Sequence, residues 1–470
     1  MQISKYSTLT QAQCHRARLS RDQRFDGVFY TAVKTTGIFC RPICPANPPL
    51  EKNVAYYSSF VEALQSGFRP CLRCRPDSAP HSPAWHGVET TFKRATHMID
   101  QGALQDSNLP ELSSRLGISN RYLRTLFQRY LGMPPKQYAN YQQLMFAKQL
   151  LHSSTMSIGD IAFASGYNSV RRFNDAFKET LQLTPSELRR TGSTDHNQNH
   201  VHKAQQLTLG FRLPFNWQHL LAIYKIRAIQ GIEAVDDESY QRNFRIDDAR
   251  GWFKATLSKQ NTLLVDFDID DLRQLRSMVR QVRRLFDLDA DIETITSHLN
   301  QTQIAPLMGT GIRIPGVWST WEAGVRAIFG QQVSVKAAIS MLNTLVAHVN
   351  RNNQETWYFP EPPEIATLDL GFFKMPQSRK DTLTRFARHM VEHPASAPET
   401  WIALKGIGPW TVSYANLRGI SKPDCFLSTD LVVKKAIHSL GTSKEATNTI
   451  IDEVSPWGSY ATFNCWNATI

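Results

Sequence analysis

Cys40-x3-Cys44 stands 26 residues ahead of Cys71-x2-Cys74, and no other feature limits the first part of the chain as tightly. Two close cysteine pairs around a spacer long enough to build strands supply the four sulfurs of a tetrahedral zinc site. A segment of about 80 residues buries too little apolar surface to fold unaided, so a metal would contribute much of its stability. Spacing alone favours an ion that only holds the fold. Clustered cysteines in a chain of this length suit a reducing compartment, so a cytoplasmic location is expected. No run of 18 apolar residues occurs and the N-terminal segment lacks the apolar core of a secretory signal, so no membrane partner is expected.

The formal net charge is +12, and almost all of it lies near the N-terminus. Residues 1–80 carry 11 Lys/Arg against 5 Asp/Glu and residues 81–190 carry 13 against 8, whereas the remaining 280 carry 29 against 28. A basic portion of this kind suits a polyanion, most commonly nucleic acid, although charge alone does not separate that from a solubility device. Residues 77–83 (DSAPHSP) and 191–203 (TGSTDHNQNHVHK) lack core formers and read as linkers. Between them the pattern is helical. Beyond the second, Leu207, Leu209, Phe211 and Leu213 alternate with polar or small residues. Leu263, Val265, Phe267 and Ile269 do the same, with Asp266 and Asp268 on the other face, which predicts an antiparallel sheet. From about Leu272 the period returns to helical. The chain is therefore expected to be multidomain, predominantly α with α+β parts. The expected order is a zinc domain over 1–80, a helical domain over 84–190, an α+β domain over 204–300 and a second helical domain over 301–470.

The strings TGIFCRPICP (36–45) and FRPCLRCRP (68–76) resemble the N-terminal domain of Ada-type methylphosphotriester repair proteins. The likeness covers residues 20–76 and all four cysteines. It implies one zinc ion, structural and thiolate-activating, on Cys40, Cys44, Cys71 and Cys74, with no organic cofactor. It also makes Cys40 the nucleophile as well as a ligand. The chemistry is coherent: a zinc-bound sulfur stays thiolate at neutral pH and can attack a methyl carbon on a neutralised phosphate. Arg41, Arg69, Arg73 and Arg75 would face the DNA backbone. Converting the thiolate to a thioether removes one negative charge near DNA, which should tighten binding, and each transfer consumes the cysteine.

LPELSSRLGISNRYLRTLFQR (109–129) reads as a helix, a turn at Gly117 and a second helix. Leu112, Leu116, Ile118, Leu123, Leu126 and Phe127 face inward, with Asn120, Arg121, Arg124, Gln128 and Arg129 outward. IGDIAFASGYNSVRRFNDAFK (158–178) repeats the pattern around Gly166, with Arg171 and Arg172 opening its second helix. One such unit would suit a generic helical bundle with solvated arginines as well. Two, with GMPP (132–135) and LTPSELRR (183–190), resemble the AraC-type double helix-turn-helix, which implies promoter DNA and RNA polymerase as partners.

LKGIGPWTVSY (404–414) is a Gly406-x-Gly408 hairpin entering a helix, where backbone N–H groups can approach a phosphate. Asp430 follows in FLSTDLVVKK (426–435) and reads equally well as a helix cap or as a catalyst. With WEAGVRAIFGQQVS (321–334) and PWGSY (456–460), these segments resemble the AlkA-type 3-methyladenine DNA glycosylases of the helix-hairpin-helix superfamily, from about Leu207 onward. The resemblance implies that Asp430 is the catalytic carboxylate. It makes Trp410, Tyr414 and Trp466 pocket aromatics and Gln331 a pocket polar residue, and it puts Gln332 where relatives insert an apolar wedge. A lone Trp otherwise reads as core. A base alkylated on a ring nitrogen is cationic, and electron-rich aromatic faces attract it by about 0.5–2 kcal/mol each. The base must be flipped out of alkylated double-stranded DNA to reach the carboxylate.

The leading expectation is a methylation-sensing activator fused to a glycosylase that uses water as nucleophile. The Pro-Cys-His-Arg motif of a second suicide methyltransferase is absent. A regulator whose C-terminal half only binds DNA is disfavoured by Asp430. An oxidised-base glycosylase with lyase activity is disfavoured by Trp410, which stands where lyase-competent relatives carry lysine.

Overall fold

The computed structural model of the chain describes residues 10–21, 28–58, 62–63, 66–71, 74, 91–92, 94–96, 98–100, 102–104, 108–192, 205–259, 261–352, 356–441 and 446–468. The linker expected at 77–83, and that at 191–203 beyond Gly192, lie outside the described residues. Packing divides the chain into two units, residues 1–142 and 143–470.

In the first unit, α1 (Gln11–Ser20) begins at a reciprocal cap, Thr10 accepting the Gln13 N–H while the Gln13 side chain accepts the Thr10 N–H. Four short strands follow, β1 (Tyr30–Val33), β2 (Ile38–Cys40), β3 (Val54–Tyr57) and β4 (Arg69–Pro70), ordered β3-β1-β2-β4. Their core is small: Tyr30, Ala32, Phe39 and Ala63, with a satellite of Cys14, Ala17 and Phe29. Glu51 gathers His15, Arg18 and Tyr56 at 2.6–3.1 Å and ties α1 to the sheet. Further along, α2 (Leu109–Leu116) and α3 (Asn120–Leu131) meet at Gly117, whose φ of +69° suits a residue without Cβ. Leu112, Leu116, Leu123 and Phe127 face inward as their spacing requires. The long helix α4 (Pro135–Ser153) continues from the first unit into the second.

The second unit opens with α5 (Ile158–Ala164), α6 (Val170–Leu181) and α7 (Pro185–Gly192), capped by Ser157 and Ser169 at the first two N-termini. Then come β5 (Gln205–Gly210), α8 (Trp217–Lys225), β6 (Glu233–Val235), β7 (Ser239–Ile246), β8 (Ala249–Leu257) and β9 (Thr262–Ile269). The five strands form an antiparallel sheet ordered β5-β9-β8-β7-β6. Leu263, Val265, Phe267 and Ile269 all point into the core, as alternation demands. The matching alternation at the start of the sheet runs out early. Gly210 pairs with Thr262, the first residue of β9, so Phe211 and Leu213 have no strand to join. Phe211 stacks on Phe215 instead, and Leu213 is exposed.

After α9 (Leu275–Leu285) and α10 (Ile292–Leu299), the rest is helical: α11 (Thr320–Gly330), α12 (Val335–Val349), α13 (Pro362–Ala366), α14 (Gln377–Glu392), α15 (Pro409–Gly419), α16 (Leu431–Ser439), α17 (Ala446–Val454) and α18 (Gly458–Asn467). α11 is buried from Trp321 to Phe329, the mark of a central helix. Two of its buried residues are charged. Glu322 and Arg326 meet Arg242 and Glu233 from the sheet in a closed ring of ion pairs at 2.5–2.8 Å. Each charge there has a partner, the condition under which burial is tolerable. Among the described residues no helix is long and apolar enough to cross a membrane.

Candidate functional site

The cysteine cluster is built by strand register. β4 lies parallel to β2, with Phe39 opposite Pro70, and the Cys71 N–H donates to the Phe39 carbonyl at 2.9 Å. That brings Cys71 to the end of the strand carrying Cys40, while a turn returns Cys44 to the Arg41 carbonyl at 3.1 Å. The sulfurs of Cys40, Cys44, Cys71 and Cys74 all lie within 4.8 Å of one another. A tetrahedron with Zn–S bonds of ~2.3 Å has edges of ~3.8 Å, so the four fit one zinc ion. Bare sulfurs this close resist ionising together. The hydrogen bond to Cys74, then burial, holds Cys40 protonated, and the same bond pulls Cys74 down to about 6. A bound dication removes that conflict. Arg41 braces the cluster, its backbone N–H donating to Cys74 Sγ at 3.3 Å and its guanidinium to the Cys74 carbonyl at 3.4 Å. Arg69 is exposed; Arg73 and Arg75 lie outside the described residues.

On the helix-turn-helix segments, Arg121 and Arg124 are exposed along α3, and Arg171 and Arg172 are exposed on the first turn of α6. Asn120 departs from its expected outward position. It is half-buried, and its side-chain carbonyl accepts from Ser113 Oγ at 2.7 Å, tying α3 to α2.

The third constellation surrounds the start of α15. Gly406 has φ +96°, and a Cβ there would meet Thr382 Oγ1 at 2.0 Å, so the hairpin requires glycine. Gly408 caps α15 with no side-chain acceptor and with open space where a Cβ would be. Trp410 and Tyr414, one turn apart, stack at 5.3 Å. Arg418, a further turn on, donates to the Tyr414 hydroxyl at 3.0 Å. Burial pushes the Tyr414 phenol up, but the positive charges of Arg418, Arg227 and Arg326 outweigh it and hold it below its ordinary value.

Asp430 caps α16, its Oδ1 accepting the Val432 N–H at 2.9 Å and the Val433 N–H at 3.3 Å. The carboxylate also takes two indole N–H groups, Trp466 onto Oδ1 and Trp410 onto Oδ2, each at 3.2 Å. The two tryptophans therefore reach Asp430 edge-on, without the gap that a nucleotide between them would need. Gln331 Nε2 donates to the Gly406 carbonyl at 3.0 Å and to Thr411 Oγ1 at 3.1 Å, so this amide braces the hairpin. Gln332 is exposed in the turn after α11, with φ +56°. The sequence reading overlooked Arg379 and Thr382 on α14, which hold Gln331 and the hairpin, and Arg227 beside Tyr414. The only signal for the first two was their spacing on one helical face.

Family models match three stretches: the metal binding domain of Ada over residues 13–77, a helix-turn-helix domain over 112–191, and the AlkA N-terminal domain over 206–319. A Mycobacterium tuberculosis protein described as a probable bifunctional transcriptional activator/DNA repair enzyme AlkA is 33% identical, over 97% of this chain and 95% of its own length. The chain belongs to that family. Its parts match separate proteins of Escherichia coli. DNA-3-methyladenine glycosylase 2 is 29% identical over 55% of this chain and 96% of its own length. The bifunctional transcriptional activator/DNA repair enzyme Ada is 33% identical over 40% of this chain and 52% of its own length. These likenesses join DNA repair to its regulation in one polypeptide.

Proposed function

We propose that the chain removes alkylated bases of the 3-methyladenine type from double-stranded DNA by hydrolysis, and accepts methyl groups from backbone phosphotriesters on Cys40. The observation that carries the first part is Asp430: a carboxylate at a helix N-terminus with two indole N–H groups converging on it. Its charge opposes the positive charge that develops on the sugar as the bond from C1′ to the base nitrogen breaks and the electron pair leaves with the base. A water oxygen then bonds to C1′, and its proton passes to Asp430 or to solvent. The electron-rich ring of Trp410 favours a cationic base over a neutral one. Opening of the Trp–Asp contacts admits the flipped nucleotide. No amine takes part in this scheme, so sodium borohydride should trap no covalent DNA adduct.

Cys40, Cys44, Cys71 and Cys74 would hold a zinc ion, which would keep the Cys40 sulfur as thiolate. A sulfur–carbon bond forms to the methyl group, the methyl–oxygen bond breaks, and the phosphodiester leaves with the electron pair. The protein then has one negative charge fewer near DNA, and the helix-turn-helix segments hold promoter sites more firmly. Activation proceeds through RNA polymerase recruited there. Incubation with methylated duplex, followed by assay of released bases and of methyl on Cys40, tests both parts. Release without methylated Cys40 would refute the second, and methylated Cys40 without release would leave a regulator that only binds DNA through its C-terminal half.

A further inference from the structure

The division of the chain by packing falls within α4, between the two helix-turn-helix segments, and the second segment belongs with the glycosylase-like unit. Phe146, Leu150, Leu151 and Ile161 share one continuous buried core with Leu207, Phe244 and Met278 of the sheet layer. Direct links cross this junction. Ser154 forms an antiparallel bridge with Leu207 at the edge of β5, and the Thr155 N–H donates to the Gln206 carbonyl at 3.3 Å. The Arg276 guanidinium, on α9, lies 5.9 Å above the Phe146 ring. α5 packs against the short 3-10 turn Leu272–Gln274, and Leu272 joins the same core. Meanwhile Arg171, Arg172, Asn174 and Lys178 on α6 remain exposed.

Charge gives this junction a use. Residues 191–470 carry 29 Lys/Arg against 28 Asp/Glu, so the glycosylase-like portion brings almost no net charge to a polyanion. Residues 81–190 carry 13 against 8. We propose that the second helix-turn-helix is docked on the sheet as a standing part of the glycosylase, and that the basic face of α6 holds ordinary duplex for it. Under this proposal α6 serves repair as well as promoter recognition. A docked module adds its phosphate contacts without the entropic cost of closing a flexible tether.

The test places a protease recognition sequence within residues 193–203 of the full chain. After cutting, the two fragments should co-elute at the mass of the intact protein at micromolar concentration. Leu272→Asp, which puts a charge into the junction, should release them. Separate elution of the wild-type fragments would overturn docking, and this arm reads whether or not the chain excises bases. In the uncut chain, Arg171→Ala with Arg172→Ala should lower kcat/KM for excision from a methylated duplex without a promoter site. The slope of log(kcat/KM) against log[salt] should become shallower by about 2, one for each arginine withdrawn from a phosphate. At saturating duplex kcat should be unchanged. An unchanged kcat/KM and salt slope would overturn the role of α6 in repair.

Discussion

The indole N–H of Trp466 lies 3.2 Å from Oδ1 of Asp430, the same oxygen that caps α16 through the Val432 amide. One carboxylate oxygen thus serves a helix and an aromatic, and Trp410 occupies the other. Trp466→Phe and Trp410→Phe each keep a ring and remove one donor. These contacts open before the nucleotide enters, so each change should cost folding stability, about 1.5 kcal/mol for one charge-assisted hydrogen bond read as a lower melting temperature, and leave single-turnover excision as fast or faster. Excision slowed about 10-fold or more would show that the indoles still hold Asp430 during the reaction.

Metal removal should separate the two activities. The apolar core around Tyr30, Ala32, Phe39 and Ala63 is small, so a chelator should unfold the N-terminal domain and abolish methyl acceptance. Excision, which uses residues of the other unit, should persist. Elemental analysis should find one zinc per chain, and Cys14→Ser should still accept methyl where Cys40→Ser does not.

The buried ring of Glu233, Arg242, Glu322 and Arg326 tolerates no partial dismantling. Glu322→Gln leaves Arg242 and Arg326 short of countercharge in the interior. It should cost about 3–5 kcal/mol, read as a lower melting temperature or denaturant midpoint. A shift below roughly 1 kcal/mol would show that water reaches the ring.

A pH dependence follows from Asp287, which accepts from the Tyr460 hydroxyl at 3.0 Å and the Ile314 N–H at 3.2 Å. Burial outweighs these contacts and Arg313, raising the carboxyl to about 6. Its folded value is above the unfolded one, so the folded state favours the proton. The associated stability is fully present below pH ~4 and is lost as pH rises through ~6, an effect of about 3 kcal/mol. Asp287→Asn should flatten the melting temperature over that window. An equally steep profile in the variant would place the titration elsewhere.

Much of this architecture was legible because it rests on local rules. The cysteine pairs needed only spacing, and β9 needed only alternation at Leu263, Val265, Phe267 and Ile269. Trp410 and Tyr414 stack because four residues make about one helical turn. What escaped depends on distant partners. The strand expected through Leu213 ends at Gly210 because β9 supplies no pairing beyond Thr262. Asn120 looked solvent-facing until α2 placed Ser113 against it. Nothing local to Gln331 signals that its amide reaches the Gly406 carbonyl, 75 positions away. In the charged ring, only Glu322 and Arg326 are close in sequence; Glu233 and Arg242 reach them through the fold.

The central claim is that Asp430 is a catalyst as well as a cap, and Asp430→Asn tests it most directly. Asparagine caps a helix about as well as aspartate, and its one oxygen can keep the cap and Trp466, but it lacks the negative charge and its amide nitrogen cannot accept from Trp410. Single-turnover excision from methylated duplex should therefore fall on the order of 100-fold or more, with melting temperature and duplex affinity little changed. Near-normal excision with a lowered melting temperature would contradict the account and leave Asp430 as the cap of α16.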